Sequence, residues 1–211
     1  VHHLFGHTHA SLGLWGPTLD IPLSVDKTGP GVTGADVAPN PTNGALTSIA
    51  HPGYLWVSAT MTDPNVAGLQ STLTDAEFFL DTVGAPGTGA QLAPVDGAMN
   101  SPTESVTGGI PISQVRSLSN GIHQVSVRGL DAAGNWGPLY TMNLVVDKVA
   151  PVLVSVTGSQ NPTTGVVTLP ASLPVNELGG FAPAEFCLGT TAPVVGKGTG
   201  VPPDRAAGNG A

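Results

Sequence analysis

Apolar and polar residues alternate along several short segments of this chain. In segment 140–146 apolar side chains occupy every second position, and in segment 123–128 Val125 and Val127 fall on one face. A period of two is typical of a half-buried β-strand. Further strands are predicted at 19–25, 31–37, 54–62, 76–81 and 103–112, with a short one near 90–92. Because helical periodicity never extends beyond about two turns, the pattern predicts an all-β protein.

The chain repeats itself at an offset of 121 residues, the distance from Trp15 to Trp136. Without gaps, 15 of the first 47 positions are identical at this offset. The clearest blocks are Trp15-Gly16-Pro17 with Trp136-Gly137-Pro138, Val25-Asp26-Lys27 with Val146-Asp147-Lys148, and, at a shorter offset, the Ala-Glu-Phe of 76–78 with that of 184–186. Self-similarity at a fixed period indicates a repeat architecture.

The order of these blocks predicts the domain organisation. Residues 1–27 correspond to the C-terminal strands of an incomplete repeat, residues 28–148 to a complete repeat, and residues 149–211 to the N-terminal part of a further one. The repeats are joined by short segments containing proline, at 27–30 and 148–151. A short link with proline favours a stiff rod over a flexible string.

The segment 131–137 between the last two strands is predicted to be a turn, because Asp, Gly and Asn are turn-forming residues. Its Trp136 is large enough to close one end of a sandwich. In the earlier copy Ala10 and Leu14 replace Asp131 and Asn135. We therefore expect that hairpin to be formed differently.

The runs "IHQVSVRGLDAAGNWGP…LVVDKVAP" and "AEFFLDTVGAPGTG" resemble bacterial immunoglobulin-like or fibronectin-type-III-like tandem repeats of secreted and cell-surface proteins. The resemblance implies tandem immunoglobulin-like β-sandwiches, with about seven antiparallel strands in the complete repeat. It also implies an extracellular or cell-surface location. Such repeats serve as spacers, adhesins, surface-layer components and appendages of secreted enzymes.

Composition narrows the possible partners. Charged residues make up 9% of the chain, against roughly 25% in an ordinary soluble domain. The net charge is −8 and the few cations form no basic stripe, which argues against nucleic-acid binding. No apolar run approaches the roughly 18 residues of a membrane-spanning helix, so no membrane span is predicted. The single cysteine, Cys187, excludes an intrachain disulfide and is predicted to be a passive thiol.

Two groups of residues are candidates for metal binding, although the fold itself predicts no cofactor. His3, His7 and His9 share one face of the first strand, where alternate histidines can chelate zinc or copper. The alternative is a polar strand face without a ligand. The residues Asp26, Asp131, Asn135 and Asp147 are possible calcium ligands, or caps of turns and links.

Catalysis is not predicted. Glu77, Glu104 and Glu185 invite a comparison with the carboxylate pair of glycoside hydrolases. However, Glu77 and Glu185 are equivalent positions of two repeats and would lie in different domains. No nucleophile elbow or phosphate-binding glycine loop is present.

These observations favour a non-catalytic structural or adhesive segment that acts in spacing, surface display or assembly. Its expected partners are neighbouring repeats, copies of itself or other cell-surface components. In one variant, strands of 1–27 complete the sandwich begun by 149–211 of another copy. One alternative is an accessory appendage of a larger secreted enzyme, a hydrolase or oxidase whose catalytic domain lies elsewhere. A second alternative is a metal-binding module that uses His3, His7 and His9.

Overall fold

The chain folds into antiparallel β-sheets, as the alternating pattern predicts. The computed structural model describes residues 2–45, 47–156, 171–172, 178–180, 184–186 and 199–201. The elements are β1 (His2–Gly6), β2 (Leu19–Leu23), β3 (Gly31–Ala38), β4 (Tyr54–Thr62), β5 (Leu73–Leu80), β6 (Ala90–Gln91), β7 (Ala93–Pro94), β8 (Thr103–Pro111), α1 (Ile112–Ser117), β9 (Gly121–Asp131), β10 (Tyr140–Val146), β11 (Ser155–Val156), β12 (Ala171–Ser172), β13 (Ala184–Phe186) and β14 (Thr199–Val201). In the described part of the chain, no helix is both long and apolar enough to span a bilayer.

Two four-stranded sheets enclose the main core. Their strand orders are β3-β4-β8-β7 and β10-β9-β5-β6. Alternate residues of both sheets point into a shared interior, so that each strand contributes one apolar face. Fully buried members of this core include Leu55, Val57, Met61 and Val106 from the first sheet, and Leu73, Val125, Val127 and Leu144 from the second.

Strand β9 is buried on both faces, although its sequence pattern marks only Val125 and Val127 as interior. Arg128, on the opposite face, is 8% exposed. Its guanidinium lies 5.2 Å from the ring centroids of both Phe79 and Trp136. Trp136 therefore covers the outer face of the second sheet. The sequence had instead suggested that this side chain closes one end of the sandwich.

Smaller differences from the prediction concern the bounds of the strands and one additional short strand. The strand predicted at 103–112 ends at Pro111, and α1 follows it. Proline has no amide hydrogen with which to continue the ladder. The short strand β7, which pairs with β8, was not predicted. The segment predicted at 76–81 begins earlier, at Leu73, because Leu73 pairs with Asp131 of β9.

The hairpin β1–β2 has the same register as the hairpin β9–β10. His2 pairs with Leu23 in the first, and His123 pairs with Leu144 in the second. Each residue of the second pair lies 121 positions after its counterpart. The hydrogen bond that closes the loop is also repeated. The amide of Gly16 donates to the carbonyl of Thr8 over 2.7 Å, and the amide of Gly137 donates to the carbonyl of Gly129 over 2.9 Å.

The expectation that Ala10 and Leu14 change the first hairpin is wrong. The amide of Ala10 donates to the carbonyl of Leu14 over 2.8 Å, and the amide of Asp131 donates to the carbonyl of Asn135 over 3.2 Å. The two turns are therefore held by equivalent backbone hydrogen bonds. Side-chain identity at these positions does not determine the turn.

Candidate functional site

The chain between β2 and β3, residues 24–30, is called the link here, and Asp26 anchors it to the sheets. One carboxylate oxygen of Asp26 accepts from the amide of Thr28 over 3.0 Å, which turns the link. The other accepts from the Ser71 hydroxyl over 2.5 Å. The Asp26 carbonyl accepts from the Asn135 amide group over 3.3 Å. The link is thus bound to two loops of the sandwich.

The link passes so close to the β9–β10 turn that only glycine fits at the crossing. A Cβ atom on Gly29 would lie 2.5 Å from the Gly137 amide nitrogen. A Cβ atom on Gly137 would overlap the carbonyl oxygen of Pro30. Backbone cannot move aside as a flexible side chain does, so the glycine of the Trp-Gly-Pro block is required by this close approach.

Three carboxylates converge where the link meets the sandwich. Asp26 comes from the link, Asp63 from the loop after β4, and Asp131 from the end of β9. One oxygen of each lies within 4.8 Å of the others. Asp63 is 0% and Asp131 1% exposed, whereas Asp26 is partly exposed. This set is called the carboxylate cluster below.

The hydrogen bonds of the carboxylate cluster leave one oxygen without a partner. Asp131 accepts from the backbone amide of Asn135 over 2.8 Å and from its side-chain amide over 2.9 Å. Asp63 Oδ2 accepts from the Ser71 amide over 2.6 Å. Asp63 Oδ1 is buried and has no hydrogen-bond partner. Burial of a carboxylate oxygen without a compensating partner is unfavourable.

The electrostatics of the cluster follow from this arrangement. Desolvation raises the pKa of Asp63, the negative charges of Asp26 and Asp131 raise it further, and the Ser71 amide offsets part of the effect. The Ser71 hydroxyl and then the Thr28 amide lower the pKa of Asp26. Across the described residues, no Lys, Arg or His forms an ion pair with these carboxylates. A surface depression of about 270 Å³ is lined in part by Asp26 and Ser71.

The sequence-predicted histidines lie elsewhere, on the β1–β2 hairpin. His3 Nδ1 lies 2.7 Å from Asp20 Oδ1. His7 and His9 both pack against Trp15, with ring centroids 4.6 and 4.4 Å away. Among the described residues, the carboxylate cluster brings three potential ligands together, and the three histidines do not form such a group. A zinc or copper site at His3, His7 and His9 therefore stays a prediction.

The glutamates considered for catalysis have structural partners. Glu77 pairs with Arg128 over 2.7 Å and also accepts from the amides of Gly87 and Gly89. Glu104 accepts from two backbone amides, at 2.8 and 2.7 Å. Glu185 lies on β13, and Cys187 lies outside the described residues.

Sequence reasoning found part of the cluster. It named Asp26, Asp131 and Asn135, which the structure brings together, and Asp147, which follows β10 directly and corresponds to Asp26 at the offset of 121. It missed Asp63. The available signal was an acidic residue at the end of a buried strand, followed by Pro64 and Asn65, which predicts a turn with an acidic cap.

Comparison with protein-family models gave no match, and comparisons with curated proteins and with solved structures gave none either.

Proposed function

We propose that this chain is a stretch of tandem immunoglobulin-like β-sandwich repeats with a mechanical, non-catalytic role outside the cell. In this role it spaces or displays other domains, and its partners are neighbouring repeats. The observation that carries the proposal is that the pairing of the first hairpin recurs 121 residues later, and that Asp26 and Asp147, also 121 residues apart, make similar contacts. Recurrent contacts between successive units are what a stiff array requires.

The strand order supports the immunoglobulin-like assignment. In immunoglobulin folds one sheet has the order A-B-E-D and the other contains strands C, F and G. Assigning β3 to β10 in chain order to A, B, C, C′, D, E, F and G gives A-B-E-D for one sheet and G-F-C-C′ for the other. Chance agreement of both sheets is improbable, because eight strands permit many orders.

The segments that follow β2 and β10 have similar contacts, which supports a repeated junction between sandwiches. Asp26 accepts from the amide two residues ahead and from Ser71 of the following sandwich. Asp147 likewise accepts from the amide of Val149, over 3.1 Å, and from the amide of Gly179, over 2.8 Å. Ser71 and Gly179 each stand five residues before an Ala-Glu-Phe block. Asp26 and Asp147 thus contact positions that correspond in the alignment of the Ala-Glu-Phe blocks, through the Ser71 hydroxyl in one case and the Gly179 amide in the other.

The exposed face of the β1–β2 hairpin supports its assignment to a further sandwich. Leu4, Ile21 and Leu23 are 62%, 47% and 51% exposed. Their counterparts at an offset of 121 are core or core-packed residues of the complete sandwich, namely Val125, Met142 and Leu144. The hairpin carries the apolar face of a sandwich sheet.

Distance measurements between spin labels test the mechanical role. Labels are attached to cysteines at the exposed positions Ser11 and Ala98, on either side of the link, in the full chain with Cys187→Ser. A matched pair at Gln114 and Ala98 lies within the sandwich. A stiff link gives the first pair a distance distribution as narrow as the second.

A variant with Gly-Ser-Gly-Ser inserted after Lys27 provides the flexible reference, and its distribution should broaden. Measurements are made with calcium and again with a chelator, because the carboxylate cluster lies at this junction. A distribution for the native link that is as broad as that of the insertion variant in both buffers would refute a spacer function.

A further inference from the structure

We infer that Asp26, Asp63 and Asp131 bind a calcium ion between the link and the sandwich. The first basis is convergence, since three chain segments bring carboxylate oxygens within 4.8 Å of one another. Like charges at this spacing repel strongly where solvent is excluded. A bound divalent cation removes that repulsion and turns the three groups into ligands.

The second basis is the buried oxygen Asp63 Oδ1, which has no partner although its residue is 0% exposed. The other oxygen of this carboxylate is held by the Ser71 amide. Its neighbours in the cluster are acceptors as well, so no hydrogen bond within the cluster can satisfy Oδ1 while all three groups are ionised. A cation is the partner that such an oxygen lacks.

The third basis is that Asp131 is not needed to form its turn. In the equivalent turn of the first hairpin, Ala10 makes the same backbone hydrogen bond without a carboxylate. The turn therefore leaves the residue at this position free to vary. The copy that carries aspartate is the copy that meets Asp26 and Asp63.

The donor set selects the kind of metal. Zinc and copper sites in proteins use histidine or cysteine, whereas the three ligands here are carboxylates. Calcium accepts six to eight oxygens in irregular geometry and completes its shell with backbone carbonyls and water. Ligands from three separate chain segments, with an open depression beside Asp26, fit calcium better than magnesium, which demands a regular octahedron.

Such an ion would join Asp26 of the link to Asp63 and Asp131 of the sandwich. Binding itself is independent of the assignment to tandem repeats. Its mechanical consequence, a stiffer junction, rests on the proposed function. Calcium binding without narrowing of the spin-label distances would therefore uphold this inference and count against the spacer role.

The test is calorimetric titration of the full chain with calcium chloride, together with thermal unfolding in calcium and in chelator. We expect one site with a Kd of about 10⁻⁴–10⁻³ M, as in extracellular calcium modules. At ten times Kd the melting temperature should rise by about 5 °C. Titration with magnesium chloride should give weaker binding.

Asp63→Asn retains the shape of the side chain and removes its charge. We expect this variant to bind calcium at least about tenfold more weakly, yet to melt in chelator no lower than the wild type, because repulsion is relieved. Asp26→Asn, on the partly exposed link, should also weaken binding. The control is Asp36→Asn, an exposed aspartate on β3, which should change neither property.

Three results would overturn the inference. One is the absence of heat and of stabilisation at about 10 mM calcium, ten times the upper end of the expected range. Another is a calcium response that Asp63→Asn and Asp26→Asn retain, since the ion would then bind elsewhere. The third is magnesium binding as tight as that of calcium, which would contradict the choice of metal.

Discussion

Replacing Arg128 by methionine tests the ion pair that covers the outer face of the second sheet. Arg128 Nε donates to Glu77 Oε1 over 2.7 Å. Glu77 is 2% exposed, so the pair is shielded from water. The methionine side chain replaces the aliphatic part of arginine and ends about where Nε stands. The substitution therefore removes the guanidinium and its charge and keeps the apolar part of the side chain.

The expected cost follows from the partner that remains. Removing one member of a buried ion pair typically destabilises a protein by about 3–5 kcal/mol, because the other charge stays buried. Glu77 keeps two backbone donors, the amides of Gly87 and Gly89, at 3.1 and 2.6 Å. We therefore expect the lower part of this range, about 3 kcal/mol, and a fall in melting temperature of about 10 °C.

Urea denaturation of the full chain, followed by circular dichroism, gives the free energy of unfolding. The matched control is Arg116→Met. Arg116 is exposed and donates to the Gly44 carbonyl over 2.9 Å. Its replacement removes the same charge from the surface and should cost less than about 1 kcal/mol.

A double-mutant cycle with Glu77→Gln isolates the interaction between the two side chains. We expect a coupling free energy of about 2 kcal/mol, within the range for residues of one buried network. Equal costs for Arg128→Met and Arg116→Met, or a coupling free energy close to zero, would refute the view that this pair stabilises the sandwich.

Two further predictions concern the sandwich. Desolvation lowers the His123 pKa, but hydrogen bonds to Ser119 and Asp81 and the charge of Asp81 outweigh it, so the pKa is raised overall. His123 therefore stabilises the folded state fully below about pH 6.5, and this contribution shrinks as the pH rises through the folded-state pKa. The free-energy difference between the wild type and His123→Gln should follow the same course. Thermal unfolding between pH 5 and 9 measures it, and a pH-independent difference would contradict it. Gly137→Ala should lower the free energy of unfolding, measured by urea denaturation, by about 3 kcal/mol or more, because its Cβ would overlap Pro30. The control Gly34→Ala has open space around the Cβ and should lower it by less than about 1 kcal/mol. Similar losses for both variants would argue against the close crossing.

Local patterns predicted best the strands that have one buried face, such as β4. The bounds predicted for β4 and β10 agree with the structure. Period-two alternation depends on neighbours within a segment, which the sequence displays directly. Where a second layer covers the outer face, as on β9, the pattern is insufficient. The burial of Arg128 depends on Phe79 and Trp136, which come from other parts of the chain.

The carboxylate cluster was predicted in part for a similar reason. Asp131 and Asn135 lie in one turn, so their proximity follows from the local sequence. Asp26 was recognised by its position in the link. Asp63 joins them only because β4 ends beside the link, which is a consequence of sheet topology. No local pattern distinguishes an acidic residue that caps a loop from one that completes a buried site.

The first hairpin exposes the apolar face that its counterpart in the sandwich buries. Leu4, Ile21, Leu23 and Val25 are each at least 40% exposed, although burial of such a side chain contributes about 1.5–3 kcal/mol. A two-stranded hairpin alone is marginally stable in water. In the complete sandwich the equivalent strands gain stability from the facing sheet, through residues such as Leu144. The proposed array of sandwiches would supply a facing sheet for this hairpin, which keeps the same register and the same apolar positions.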